Sequence, residues 1–125
     1  MAEQQQDLQQ IQHLVQRYFD SMYESSEALV REVFHENAKI TGYMGKNLMQ
    51  QSVADFSTFV GSQQPSAKAK DEPILLETLS VEIAGDTAVA RVRDGYLGLT
   101  FLDTLSLLRV DGRWQIYNKL FHVET

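Results

Sequence analysis

The sequence predicts an α+β fold, a cone-like curved antiparallel sheet with three N-terminal helices packed on its concave face. Three observations carry this prediction. Apolar residues recur every three or four positions up to about residue 60, and the period falls to two from Ile74 onward. The second half is also punctuated by the turn dipeptides Gly85-Asp86 and Asp111-Gly112. Helical spacing followed by hairpin-linked strands places helices in a layer against one face of a sheet.

Leu8, Ile11, Leu14, Val15, Tyr18, Phe19 and Met22 make one apolar stripe on a helix from about residue 5 to 23. Ser25 and Ser26 can cap a second, shorter helix carrying Ala28, Leu29, Val30, Val33 and Phe34, and Glu27 favours its positive end. This helix should stop near His35 to Asn37, where His35 is placed to bond the last carbonyls. Ala38 to Tyr43 reads as a short strand, and Gly42 and Gly45 as a turn. Leu48, Met49, Val53, Phe56, Phe59 and Val60 then form a third helical stripe. Residues 61–73 are a polar loop, and strands follow at about 74–84, 87–97, 100–110 and 113–124.

A chain of 125 residues is expected to fold as a single domain, residues 1–125, with one core. The net charge of −6 and a pI near 4.9 disfavour a nucleic-acid partner, because phosphate binding needs clustered Lys and Arg. Without cysteine there is no disulfide, thiolate metal site or cysteine nucleophile. The polar, Gln-rich stretch Met1 to Gln10 lacks the pattern of a secretion signal, and no run of about 20 apolar residues suggests a membrane span. A cytoplasmic protein with no membrane partner is expected. Three separated histidines do not suggest a metal centre, and no Gly-rich phosphate loop, H-E-x-x-H or G-x-S-x-G is present. No cofactor is implied.

A two-residue turn at Asp111-Gly112 sets Arg109 opposite Trp114, Leu107 opposite Ile116, Leu105 opposite Asn118, Asp103 opposite Leu120 and Phe101 opposite His122. All are then on the cavity side. The other face would hold Leu102, Thr104, Ser106, Leu108, Tyr117, Lys119, Phe121 and Val123, a mixed surface that suggests a homodimer packed sheet to sheet. A slip of one residue would exchange the two sets. The turn at Gly85-Asp86 puts Leu75, Leu79, Val81, Ile83, Ala90, Val92 and Tyr96 on the core side and Glu77 opposite Asp94. A turn at Gly98-Leu99 would further set Asp94 opposite Asp103. Three carboxylates abreast would repel, so a bulge at Asp94-Gly95 that turns Asp94 outward is the favoured reading.

The element order resembles the nuclear transport factor 2-like superfamily, which includes polyketide-cyclase-like (SnoaL-like) proteins, ketosteroid isomerases and scytalone dehydratases. The segments V-F-H-E-N-A-K-I-T-G-Y at 33–43 and D-T-L-S-L-L-R-V-D-G-R-W-Q-I-Y-N-K-L-F-H at 103–122 are similar to its bacterial lumazine-binding branch. By this resemblance Tyr18 and Asp103 look like the isomerase pair that donates hydrogen bonds to a developing oxyanion. Where those isomerases carry an aspartate base, this chain has Gly42.

These readings give a cavity that binds a small molecule, with Tyr18, Tyr43, Phe56, Tyr96, Asp103, Trp114, Asn118 and His122 as candidate ligand-binding residues. Asp103 is the best catalytic candidate, since an acid on an apolar sheet face needs a partner or a proton. The expected function is binding of a flat, partly polar ring compound. The alternative is an isomerase, dehydratase or cyclase-like enzyme that uses Asp103 as a perturbed acid. Trp114 also reads as a core anchor stacked with Arg109.

Overall fold

A computed structural model describes residues 2–124. The elements run α1 (Ala2–Tyr23), α2 (Glu27–Val33), β1 (Phe34–Met44), β2 (Asn47–Ser52), α3 (Val53–Gly61), β3 (Leu76–Ala84), β4 (Thr87–Tyr96), β5 (Leu99–Val110) and β6 (Arg113–Val123). The six strands form one curved, unclosed sheet in the order β2-β1-β6-β5-β4-β3, with the three helices as the second layer. All pairings are antiparallel except β1 with β6, which is parallel and makes the sheet mixed.

The predicted stripe of α1 faces the sheet from Ile11 onward, with Ile11, Tyr18, Phe19 and Met22 fully or nearly fully buried, while Leu8 at its start is exposed. Ser26 caps α2 by accepting a hydrogen bond from the Leu29 amide at 3.1 Å. The helix ends earlier than its apolar spacing suggests, because Phe34 already has extended backbone and begins β1. His35 therefore lies in a strand and caps nothing; its ring tilts against Tyr117 at 5.2 Å. The loop after α3 is tied to the α1–α2 corner through Ser25 Oγ donating to the Gln63 carbonyl and Tyr23 OH donating to the Glu72 carbonyl.

Two stretches differ from the expected elements. Leu48 and Met49 belong to β2, an edge strand, and α3 begins only after Ser52, whose hydroxyl accepts from the Asp55 amide. Their spacing from Val53 imitated a helical stripe, but the cap at Ser52 interrupts it. Gly42 is not in a turn; it sits within β1, paired to Met49 and Phe121, while Gly45 occupies the turn.

The registers decide which side chains face the helices. The Asp111-Gly112 turn forms as predicted, with both residues at positive φ, and sets Arg109 against Trp114 and Leu107 against Ile116. The ladder then shifts by one: Ser106 pairs with Asn118, Leu105 with Lys119, Asp103 with Phe121 and Phe101 with Val123. Tyr117 is the extra residue of this bulge, and because strand side chains alternate, every later residue of β6 changes face. Lys119 and Phe121 turn inward, while Asn118, Leu120 and His122 turn outward.

A second shift lies between Thr78 and Ser80 of β3. It leaves Leu75 and Leu79 largely exposed, contrary to expectation, and packs Leu76 against the core instead. Glu77 consequently pairs with Arg93 on the outside, in an ion pair of 3.1 Å, and not with Asp94. The β4–β5 turn is Leu97-Gly98 and not Gly98-Leu99, so Asp94 pairs with Phe101 and Val92 with Asp103. No bulge turns Asp94 outward: it is 1% exposed.

Candidate functional site

The inner face of β4, β5 and β6 brings Asp94, Asp103 and Lys119 beneath α1 and α3. Asp94 and Asp103 stand diagonally on neighbouring strands, two residues apart in register, a spacing that leaves carboxyl groups within mutual reach. Asp103, fully buried, accepts a hydrogen bond of 2.6 Å from the Tyr18 hydroxyl on α1. Among the described residues, Asp94 Oδ2, Asp103 Oδ1 and the Tyr96 hydroxyl are buried with no fixed partner, and a proton shared between the two carboxyl groups is what can join the first two.

Burial, and then the neighbouring charge of Asp103, push the Asp94 carboxyl up to about 9, with the charge of Lys119 pulling weakly the other way. Asp94 therefore holds a proton at neutral pH. Burial first, and the charges of Asp103 and Asp94 after it, also raise Tyr18 well above an ordinary phenol, so it remains a hydrogen-bond donor. Desolvation raises Tyr96 to about 12. Two acids that differ in environment, beside a fixed phenol, can give a proton to one atom and take one from another.

Lys119 is 6% exposed. Its Nζ is 3.9 Å from the Met22 sulfur and lies 4.8, 5.0 and 6.0 Å from the ring centres of Phe56, Tyr18 and Phe121. It makes no ion pair among the described residues. Asp94, Tyr96, Phe56, Met22, Phe121 and Lys119 line a cavity of about 90 Å³. Its rim is apolar, formed by the partly exposed Met49, Phe59 and Leu97.

A larger cavity of about 590 Å³ lies between α1 and the β5–β6 turn, against Gln6, Gln10, His13, Arg17, Arg113 and Trp114. Of the charged groups lining it, Arg17 and Glu32 neutralise each other, and Arg113 is exposed to solvent. The smaller cavity is the candidate site because Asp94 and Tyr96 on its wall carry buried polar atoms without a fixed partner among the described residues, which volume alone does not supply.

Of the residues singled out in the sequence, Phe56 and Tyr96 line this cavity, and Tyr18 and Asp103, bonded to each other, adjoin it through the contact of Tyr18 with Lys119. Tyr43 is 59% exposed on β1, and Trp114 borders the larger cavity, under Arg109 at 5.2 Å. Asn118 and His122 are carried to the outer face by the Tyr117 bulge. The two groups the sequence reading missed are Asp94, taken as outward, and Lys119, assigned to the opposite face. One signal pointed to Lys119: it shares strand parity with Phe121, a bulky aromatic with stronger reason to be buried than Leu120 or His122. Gly42 also has a physical reason. A Cβ there would lie against the Phe121 carbonyl oxygen and ring, so a side chain like the isomerase base has no room.

Among the described residues no group of three or more potential metal ligands occurs, and no helix is long and apolar enough to cross a membrane. The fold is similar to an NTF-2-like protein of unknown function from Silicibacter pomeroyi, with a TM-score of 0.89 and 21% identity over 97% of this chain and 98% of that one. It is also similar to an NTF2-like protein of unknown function from Methylobacillus flagellatus, with a TM-score of 0.84 and 26% identity over 96% and 94% of the two chains. A curated protein, "Aldolase FrzH" of Cladobotryum sp, is 24% identical over 84% of this chain and 82% of its own. Residues 6–122 match the family described as "Putative lumazine-binding", and with this fold the chain belongs to that family within the nuclear transport factor 2-like superfamily.

Proposed function

We propose that the protein binds a small, flat, partly polar ring compound in the cavity lined by Asp94, Tyr96 and Lys119. The observation that carries this reading is that Asp94 and Tyr96, both on the cavity wall, present buried polar atoms with no hydrogen-bond partner among the described residues apart from the proton that Asp94 shares with Asp103. Each costs about 1–3 kcal/mol when left unmade, and a ligand edge that both donates and accepts would satisfy them together. Tyr18 orients Asp103, and Lys119 takes the place in the site that the sequence had suggested for Asn118. The cavity is small beside the ~300–1,000 Å³ of drug-sized sites, so larger ligands would enter past Met49, Phe59 and Leu97. Thermal-shift screening with pterins, lumazines, flavins and steroids tests the reading. A binder present at about 100 times its Kd stabilises the fold by about 2.7 kcal/mol; no shift from any compound would overturn the proposal.

A second reading, an isomerase, dehydratase or cyclase-like enzyme, is favoured by the protonated Asp94 beside Asp103. Similarity to a protein named an aldolase supports carbon–carbon chemistry as a further variant. In this reading Asp94 is the perturbed acid, and Asp103 is its charged neighbour. Turnover abolished in both Asp103→Asn and Asp94→Asn, with melting retained, distinguishes it from binding alone. We further infer a cytoplasmic homodimer through the outer sheet face, where Val89, Tyr117 and Leu120 are 41%, 41% and 49% exposed. Sedimentation of wild type against Leu120→Lys tests the dimer.

A further inference from the structure

The chain has five lysines, and four of them, Lys39, Lys46, Lys68 and Lys70, are exposed. Lys119 is buried, lines the candidate cavity, has only a thioether sulfur as hydrogen-bond partner and forms no ion pair among the described residues. A lysine whose only task was to neutralise the acid pair would gain most by contacting it directly. This one faces the Tyr18, Phe56 and Phe121 rings, with Asp94 close enough to feel its charge but not in ion-pair contact.

We propose that Lys119 captures a small aldehyde or ketone as a covalent iminium, with the Asp94–Asp103 carboxyl pair relaying the protons. This inference rests on the reading that the cavity accepts a small molecule, and it assigns the ligand a reactive carbonyl group. The ammonium first gives a proton to the ionised member of the pair, and the neutral amine attacks the carbonyl carbon. The C–N bond forms, the carbonyl π electrons move to oxygen, and the nitrogen's second proton and one from the pair follow to that oxygen. The C–O bond breaks, water leaves, and a C=N bond with one N–H remains. The nitrogen has lost two protons, both leave in the water, and the pair ends with the single proton it began with.

This bookkeeping matches the site. The buried charge on nitrogen is positive before and after, so the aromatic rings that face the ammonium stabilise the iminium equally. A carboxyl pair with one proton supplies a base and an acid at the same place, which is what the two halves of the reaction require. Tyr18, bonded to Asp103, keeps the pair in position.

The test is reductive trapping. The full chain is incubated with acetone or propanal and sodium cyanoborohydride, and modified lysines are mapped by peptide mass spectrometry. The four exposed lysines serve as internal controls. Lys119 should be alkylated about tenfold faster than any of them despite its burial, the advantage expected of a positioned nucleophile. Asp94→Asn should slow Lys119 about 100-fold, the scale of general acid–base catalysis, and leave the other four unchanged. Labelling of wild-type Lys119 no faster than the exposed lysines overturns the inference, whether or not the variant folds. If acetone perturbs the NMR signals of the Met22 and Met49 methyl groups without alkylating Lys119, the covalent step falls and small-molecule binding stands. If acetone neither perturbs these methyls nor alkylates Lys119, the covalent step falls, and silence in the ring-compound screen as well would remove the binding reading.

Discussion

Two buried acid clusters occupy the inner side of the sheet, and they are built in opposite ways. Near the β5–β6 turn, Asp7 of α1 accepts hydrogen bonds from Arg109 at 2.5 Å and from the Trp114 indole at 3.3 Å, and Arg109 also reaches Asp86 at 2.7 Å. Donors and acceptors there are matched, and Arg109 lies over the Trp114 ring. Six residues back along β5, about 20 Å away, Asp103 has the Tyr18 bond and a proton to share with Asp94, and the Tyr96 hydroxyl has no partner among the described residues. The first cluster locks a helix onto a hairpin. The second holds unsatisfied hydrogen-bonding capacity at the stability cost that functional sites commonly carry.

The contrast yields three predictions. The largest effect is expected from Gly42→Asp, because the Phe121 wall of the open cluster lies directly against the Gly42 backbone. Forcing a side chain between β1 and β6 should cost more than about 3 kcal/mol and abolish a cooperative melt by circular dichroism; a stable, well-folded Gly42→Asp protein would contradict this packing. Next, Asp7→Ala strips the acceptor from Arg109 and Trp114 and should lower Tm by roughly 5–10 °C while leaving ligand binding at the other cluster unchanged. Equal damage to binding would mean that the two clusters are coupled.

The third prediction, read in a pH slope and not in a single melting point, concerns Asp94. Its folded-state value is raised to about 9 from an ordinary 3.8, so between those values the folded protein holds a proton that the unfolded chain has released. Asp94's contribution is fully present at acid pH and is lost as pH rises toward the folded value. Stability from urea unfolding should fall across pH 5–8 by up to about 1.4 kcal/mol per pH unit, and Asp94→Asn should flatten that slope. An unchanged slope in the variant would show that Asp94 titrates normally.

How much of this was readable in the residues varies by element. The α1 stripe, the Ser26 cap and the Asp111-Gly112 turn were legible because each depends on neighbours within a few positions, and Arg109 opposite Trp114 followed from the turn alone. Beyond Ile116 the same logic failed. Nothing local marks Tyr117 as an extra residue: no glycine or proline flags the bulge, and only the inward demand of Phe121 argues for it. The helical spacing of Leu48 and Met49 misled for a related reason, since an edge strand and a helix can share apolar positions over a few residues. Asp94 reads as outward in the sequence because Glu77, Asp94 and Asp103 abreast would repel and Gly95 suits a bulge. The structure buries it, and burial with Asp103 beside it raises its carboxyl far above the ordinary range.

The amino-acid order by itself determined the helices-then-strands layout, the apolar stripe of α1 and the placement of Asp103 on the inner face, because periodicity and turn chemistry are short-range. Only the tertiary structure decided that Asp94 and Lys119 join Asp103, that Asn118 and His122 do not, and that β1 closes on β6 in parallel. Strand side chains alternate with a period of two, so one inserted residue, fixed by packing against distant partners such as Gly42, reverses which groups meet.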